Sequence, residues 1–335
     1  MNPASISVAV SPRPRHLACA LLLSLACAPA WAQSVPQTAQ LSNGLNTGGT
    51  SFLDGFTRTD PGWAIVQYAR FSRLDAIKDA NGDDVAALRD PRIDSTLLLT
   101  QVAYVTHYTP LGGVLGFTAL VPLVNLHASF AADSLARLSD NGFGLGDITF
   151  GPYLQMQPVV RDGRPVFVQR FEFDAVAPVG KFDRDRDLNQ SSGYWSLIPN
   201  WAFTVLPTPQ WEISARLNYV YNFRADKAAN APVLDGFTFR NGQAGDAFWV
   251  NFASSYALAP AFRLGVAGYY LKQLRDNRTN GQRVADTKQS LLYLGPGASW
   301  QIDAHNILNA NLYLPVEVKN AASGPNLNFQ YIHVF

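Results

Sequence analysis

From Trp211 to Phe223 the chain repeats with a period of two. Trp211, Ile213, Ala215, Leu217, Tyr219, Tyr221 and Phe223 share one phase, and Glu212, Ser214, Arg216, Asn218 and Asn222 share the other. Successive side chains of a strand point to opposite faces, so this pattern specifies an extended strand with one apolar and one polar side. The run outlasts the strands common in globular domains, which hold ~5–6 residues. It suits a tilted strand crossing a bilayer, which needs ~9–11 residues.

Read the same way, the chain contains twelve candidate strands, near 62–74, 93–109, 113–126, 144–158, 165–177, 194–206, 211–223, 246–258, 261–274, 288–301, 305–316 and 326–335. The connections alternate in length. Long polar segments lie after the first strand and near 127–143, 178–193, 224–245, 275–287 and 317–325, and short turns such as Pro110-Leu111-Gly112, Pro207–Gln210 and Ala259-Pro260 lie between them. An even strand count with alternating turns and loops is the pattern of a bacterial transmembrane barrel. The expected fold is therefore all-β, an antiparallel transmembrane β-barrel of about 12 strands in the outer membrane, in contact with its lipid.

Composition alone does not separate this from a soluble core, since 47% hydrophobic, 12% aromatic and 15% charged residues suit both. The apolar stretch from Leu111 to Val124 is broken by Gly112, Gly113, Gly116 and Pro122, so no transmembrane helix is expected.

At the N-terminus, Arg13, Arg15 and His16 precede an apolar run from Leu17 to Ala28, and Ala30-Trp31-Ala32 follows. This reads as a secretory signal peptide over 1–32, cleaved before Gln33. Its removal takes Cys19 and Cys27, leaving no thiol chemistry, and takes Arg13 and Arg15 from the 26 basic residues, leaving them nearly balanced against 25 acidic ones. A nucleic-acid partner would call for a basic excess and is not expected. Residues 33–60 are polar and lack alternation, which suits a leader or a plug entering the barrel, with Phe52, Leu53 and Phe56 able to pack inside. Residues 61–335 form the barrel domain. The last strand alternates through Asn328, Gln330 and Ile332 to a terminal Phe335, which resembles the C-terminal signal recognised by the barrel-assembly machinery. Trp63, Trp211 and Trp300 fall at turn ends on the lipid phase, where amphipathic rings favour the interface.

Charges on a strand that crosses lipid should point inward. The lumen candidates are Arg70 with Tyr68 on the first strand, Asp147 and Tyr153 on the fourth, Arg170, Glu172 and Asp174 on the fifth, and Glu212, Arg216 and Asn218 on the seventh. They can brace a narrow barrel or contact a solute in transit. No catalytic or metal site and no cofactor is expected. The histidines left after cleavage, His107, His127, His305 and His333, are scattered and have no nucleophile motif beside them. A lipid-modifying barrel enzyme and a purely structural barrel remain the alternatives.

The segment Asn141–Pro152, which contains Gly144-Leu145-Gly146-Asp147, the later Ala177-Pro178-Val179-Gly180-Lys181-Phe182 and the closing strand resemble the outer-membrane proteins encoded with meta-cleavage (MetA) pathways of phenol degradation. The resemblance runs from about Trp63 onward. It implies a barrel that imports small hydrophobic or aromatic solutes. Read by itself, the Gly-x-Gly-Asp segment is a bend at the barrel rim and not a phosphate loop, because no Gly-Lys-Ser/Thr follows.

Overall fold

The computed structural model describes residues 35–42, 44–230 and 237–335. The expected signal peptide and its cleavage site lie outside the described residues. Twelve antiparallel strands make the wall: β1 (Gly62–Leu74), β2 (Arg92–Val105), β3 (Gly113–Ser129), β4 (Ile148–Met156), β5 (Arg164–Ala177), β6 (Ser196–Val205), β7 (Trp211–Asn222), β8 (Ala247–Ala259), β9 (Phe262–Gln273), β10 (Ser290–Gln301), β11 (Asn306–Lys319) and β12 (Asn326–Val334). Each pairs with its neighbour in sequence, and β1 closes on β12 in register from Ala64↔Val334 to Ser72↔Asn326. Closure leaves the wall without an open edge, which is what a bilayer demands of a β structure.

Burial is inverted relative to a soluble protein. On β7 the polar phase, with Glu212, Ser214, Arg216, Asn218 and Asn222, is buried, whereas Trp211, Ile213 and Tyr221 are exposed. Leu98, Val121, Leu123, Phe171, Phe173, Trp201, Val266 and Leu314 are likewise exposed on the outside. An apolar exterior around a polar interior is stable only when the surroundings are apolar, so this barrel is built to stand in lipid. Trp211 and Trp300 are exposed near strand ends that border short turns, and Trp63 is exposed at the same end of the barrel, opposite Tyr104 on β2. No helix among the described residues is long and apolar enough to cross a membrane.

Three expected boundaries need correction, each for a local reason. β2 stops at Val105, because the Thr106 hydroxyl donates to Leu115 O at 2.8 Å and accepts from the Tyr108 amide at 3.1 Å, turning the chain before Pro110. The stretch 144–158 is not one strand. Phe143–Leu145 pairs with Leu123–Asn125 of β3, and β4 starts only at Ile148. Gly146 N donates to Pro122 O at 2.9 Å, so the side of Pro122 that lacks an amide hydrogen faces this point and the ladder breaks there. β11 runs on to Lys319 and leaves only 320–325 as its loop. A bulge beside Pro315 lets Glu317 to Lys319 keep pairing with β10.

Candidate functional site: the barrel lumen

The polar segment ahead of β1 lies inside the wall. At the loop end, the hydroxyls of Thr38 and Thr279 share a hydrogen bond of 2.8 Å and Thr279 donates to Pro36 O at 2.7 Å. Further along, Asn251 Oδ1 accepts from Gly48 N at 2.8 Å, Ser51 donates to Asn311 at 3.2 Å and Gly55 N donates to Thr204 at 2.9 Å. At the turn end Arg58 reaches the Phe335 and Trp63 carbonyls. Gly48 sits at φ +66 with its Cα so close to Tyr269 that a Cβ would lie 2.7 Å from the ring, so both conformation and space require glycine there. Leu41 and Leu45 pack with Trp249 and Leu271, and Phe52 packs with Tyr269, Tyr293 and Tyr313. The segment therefore fills the side of the lumen formed mainly by β5 to β11.

Its Asp54 completes a charge cluster at mid-height. Arg216 Nε and Nη2 donate to the two Asp54 oxygens at 2.9 and 2.8 Å, and Arg216 Nη1 lies 3.4 Å from Glu172. Arg170 bonds Glu172 through Nε and stands 3.7 Å from Asp54. Asn200 Nδ2 bridges Glu172 and Asp174, at 3.4 and 3.2 Å. Buried charges are tolerable only when paired in this way, and removing one partner leaves the other uncompensated.

Opposite the inner segment the lumen stays open. One cavity of about 1510 Å³ extends from Ala64, Ala103 and Val334 at the turn end to Ile77, Leu88 and Leu138 among the long loops. Its wall on β1 to β3 is largely apolar, with Val66, Leu97, Leu99, Leu120, Pro122 and Val124 facing in. Register sets Leu97 beside Val124 and Leu99 beside Pro122, so these side chains form a continuous patch.

The expected lumen residues do not share one role. Arg70, Asp147, Tyr153, Arg170, Glu172, Asp174, Arg216 and Asn218 line the cavity. Glu212 points inward but is fully covered and away from the cavity, because Ser255 donates to it at 2.8 Å and the Leu53 amide of the inner segment at 3.4 Å. Asp147 lies ahead of β4 instead of on it. Its carboxylate accepts from Gly180 N at 3.2 Å and from both the Ser192 amide and hydroxyl at 2.8 Å, which ties two loop segments together. Nearby, burial pushes the Tyr194 hydroxyl well up, with the Asp147 charge adding to the effect, and that hydroxyl donates to Gln40 O at 2.6 Å. Sequence reasoning missed Asp54, which sits in a stretch without periodicity. It also missed the apolar wall, because Leu97-Leu98-Leu99 is apolar on both phases and does not disclose its inner side.

The histidines are held separately. His305 Nδ1 lies 2.8 Å from Val334 O, His333 Nδ1 lies 2.8 Å from Asn306 Oδ1, and His127 lies 3.7 Å from Asp140. Among the described residues no group of three or more His, Cys, Asp or Glu side chains could hold a metal ion.

A family model described as "Putative MetA-pathway of phenol degradation" matches residues 74–331. No curated protein matches the chain. Among solved structures, an outer-membrane channel from Pseudomonas putida F1 superposes with a TM-score of 0.70 at 17% identity, covering 84% of this chain and 98% of that one. The translocator domain of the autotransporter NalP from Neisseria meningitidis gives a TM-score of 0.46 at 10% identity, over 84% of this chain and 91% of that one. A mutant of the monoaromatic hydrocarbon channel TodX gives 0.45 at 9% identity, over 84% and 92%. At 17% identity the likeness to the Pseudomonas putida channel is one of fold.

Proposed function

This chain belongs to the MetA-pathway family of phenol degradation, and from that premise we propose that it is an outer-membrane conduit for small apolar solutes, aromatic ones among them. The observation that carries this reading is the cavity of about 1510 Å³ with its apolar wall of Val66, Leu97, Leu99, Leu120, Pro122 and Val124. An apolar solute gains ~25 cal/mol for each Å² it removes from water, so such a wall competes with bulk water. The hold is shallow and spread along the strands, which lets the solute leave at the far end. Large hydrophilic solutes meet the inner segment and the Arg170–Glu172–Arg216–Asp54 cluster instead.

Passage, and not catalysis, is the role these groups fit. The charged side chains of the mid-height cluster are mostly paired with one another, and the histidines stand apart. The terminal strand β12, with the Phe335 that follows it, would serve as the element by which the barrel-assembly machinery takes up the chain.

Deleting the gene from a strain without a related barrel should slow uptake of radiolabelled toluene at low external concentration, where the outer membrane limits flux. Restoring the gene should restore the rate. Unchanged uptake of toluene and of every other aromatic tested would overturn the proposal.

A further inference from the structure

Three arginines of the wall line the cavity, and they are not equivalent. Arg170 and Arg216 are held by Asp54 and Glu172. Arg70 has no carboxylate oxygen within 4.0 Å among the described residues. Its Nε donates to Asn328 Oδ1 at 3.0 Å and its Nη2 to the Thr47 carbonyl, both neutral acceptors. No acceptor among the described residues meets Nη1. The side chain remains partly exposed in the open part of the lumen.

The surroundings of Arg70 are as telling as its missing counter-charge. Register places Leu97 directly beside it on β2, Val124 next to Leu97 on β3, and Leu99 and Pro122 one inward position toward the turn end. A cation therefore stands at the edge of an apolar floor. A guanidinium with a free N–H edge binds carboxylates strongly and directionally, and it does so best where water is partly excluded.

We infer that Arg70 and this floor form a subsite for an apolar acid, with the carboxylate on the free edge of Arg70 and the apolar body on Leu97, Leu99, Pro122 and Val124. The inference rests on the reading of the barrel as a conduit for apolar solutes and narrows it to molecules carrying one negative charge at one end. A cationic head group is disfavoured by Arg70 itself.

The test is equilibrium binding to the purified, full-length barrel in a zwitterionic detergent, by calorimetry, with benzoate, benzamide and benzylammonium as probes. These share the ring and differ in charge. Benzoate should bind about tenfold more tightly than benzamide, the size expected of one charge-assisted contact, and benzylammonium should bind most weakly. Acetate, which lacks the ring, should not displace benzoate at equal concentration. Arg70→Gln should bring benzoate down to the level of benzamide, in protein shown by heat-modifiable migration to be folded. The comparison of probes on the unaltered protein needs no variant and stands if Arg70→Gln fails to fold. Equal binding of benzoate and benzamide, or tightest binding of benzylammonium, would overturn the subsite and leave the conduit intact. Displacement by acetate would overturn the role of the apolar floor. Failure of all three aromatic probes to bind would count against both the subsite and the conduit.

Discussion

Arg216 on β7 grips Asp54 with a two-pronged contact, Nε and Nη2 each meeting one carboxylate oxygen at 2.9 and 2.8 Å across 162 residues of chain. A paired fork of this kind fixes direction as well as distance. Because both side chains are largely buried, the contact is the firmest electrostatic anchor between the inner segment and the wall. Asp54→Asn removes one charge and leaves Arg216 with Glu172 alone, which should cost about 3 kcal/mol of the free energy holding the segment in place. The expected outcome is a several-fold rise in ion conductance across planar bilayers, with heat-modifiable migration unchanged. Conductance equal to that of the unaltered barrel would mean that the segment is held by its backbone contacts.

The long loop after β1 contains a second fixed carboxylate, outside the membrane span. Asp79 Oδ1 accepts the backbone amides of Asp83, Asn81 and Gly82 at 2.9, 2.8 and 2.9 Å. These bonds, that of Asp83 foremost, hold its carboxyl below the ordinary aspartate value. A depressed pKa means that the folded turn favours the ionised form. Its stabilising contribution is complete above the ordinary aspartate value and fades as pH falls through the lower, folded one. A carbon-13 NMR titration of Asp79 should show a midpoint below that of an unstructured peptide with the same sequence. A midpoint at or above the peptide value would contradict the turn geometry.

Orientation follows from loop length. The described short turns join β2 to β3, β4 to β5, β6 to β7, β8 to β9 and β10 to β11, and the loops at the other end are longer except for 320–325 between β11 and β12. In barrels of this type the short turns face the periplasm. Cysteines introduced at Asp83 or Asp185 should react with an impermeant maleimide on intact cells, and one at Thr208 should react only after the outer membrane is opened. All three positions are exposed, so access to the side of the membrane is what the reagent reads. Labelling of Thr208 alone on intact cells would invert the assignment.

Most of the wall was legible because a barrel strand has two unlike solvents, lipid and lumen, and must alternate to satisfy both. β7 does so with Arg216 and Asn218 facing in and Ile213 and Tyr221 facing out, and its expected span of 211–223 differs from Trp211–Asn222 by one residue. The interruption at Gly146 was not legible, since it depends on which side of Pro122 faces β4, a property of pairing and not of pattern. Glu212 shares the buried phase of β7 with Arg216 and Asn218. That it is sealed off from the cavity depends on Leu53, whose position is set by tertiary contacts in a segment without periodicity. The apolar inner wall was hidden for a related reason: where Leu97, Leu98 and Leu99 succeed one another, alternation carries no information about which phase faces the lumen.

That ambiguity supplies the sharpest test of the passage. Leu98 is exposed on the lipid side, whereas Leu99 faces the cavity between Tyr68 and Pro122 in the register of its two neighbours. The same substitution at the two positions should therefore have opposite consequences. Leu98→Glu places a charge in hydrocarbon and should impair assembly or lower stability by about 1–3 kcal/mol, depending on depth. Leu99→Glu places it in the lumen, where assembly should proceed, but it interrupts the apolar patch on which a solute would move. Toluene uptake per folded barrel should then fall about tenfold, because the lost apolar contact is worth about one such factor in partitioning. Stability is read by urea unfolding in vesicles, and uptake by initial rates normalised to folded protein. If Leu99→Glu left uptake per folded barrel unchanged, the wall of β1 to β3 would not be the route. If Leu98→Glu reduced it as strongly, the effect would belong to the outer face of β2, and the solute path would have to be sought there.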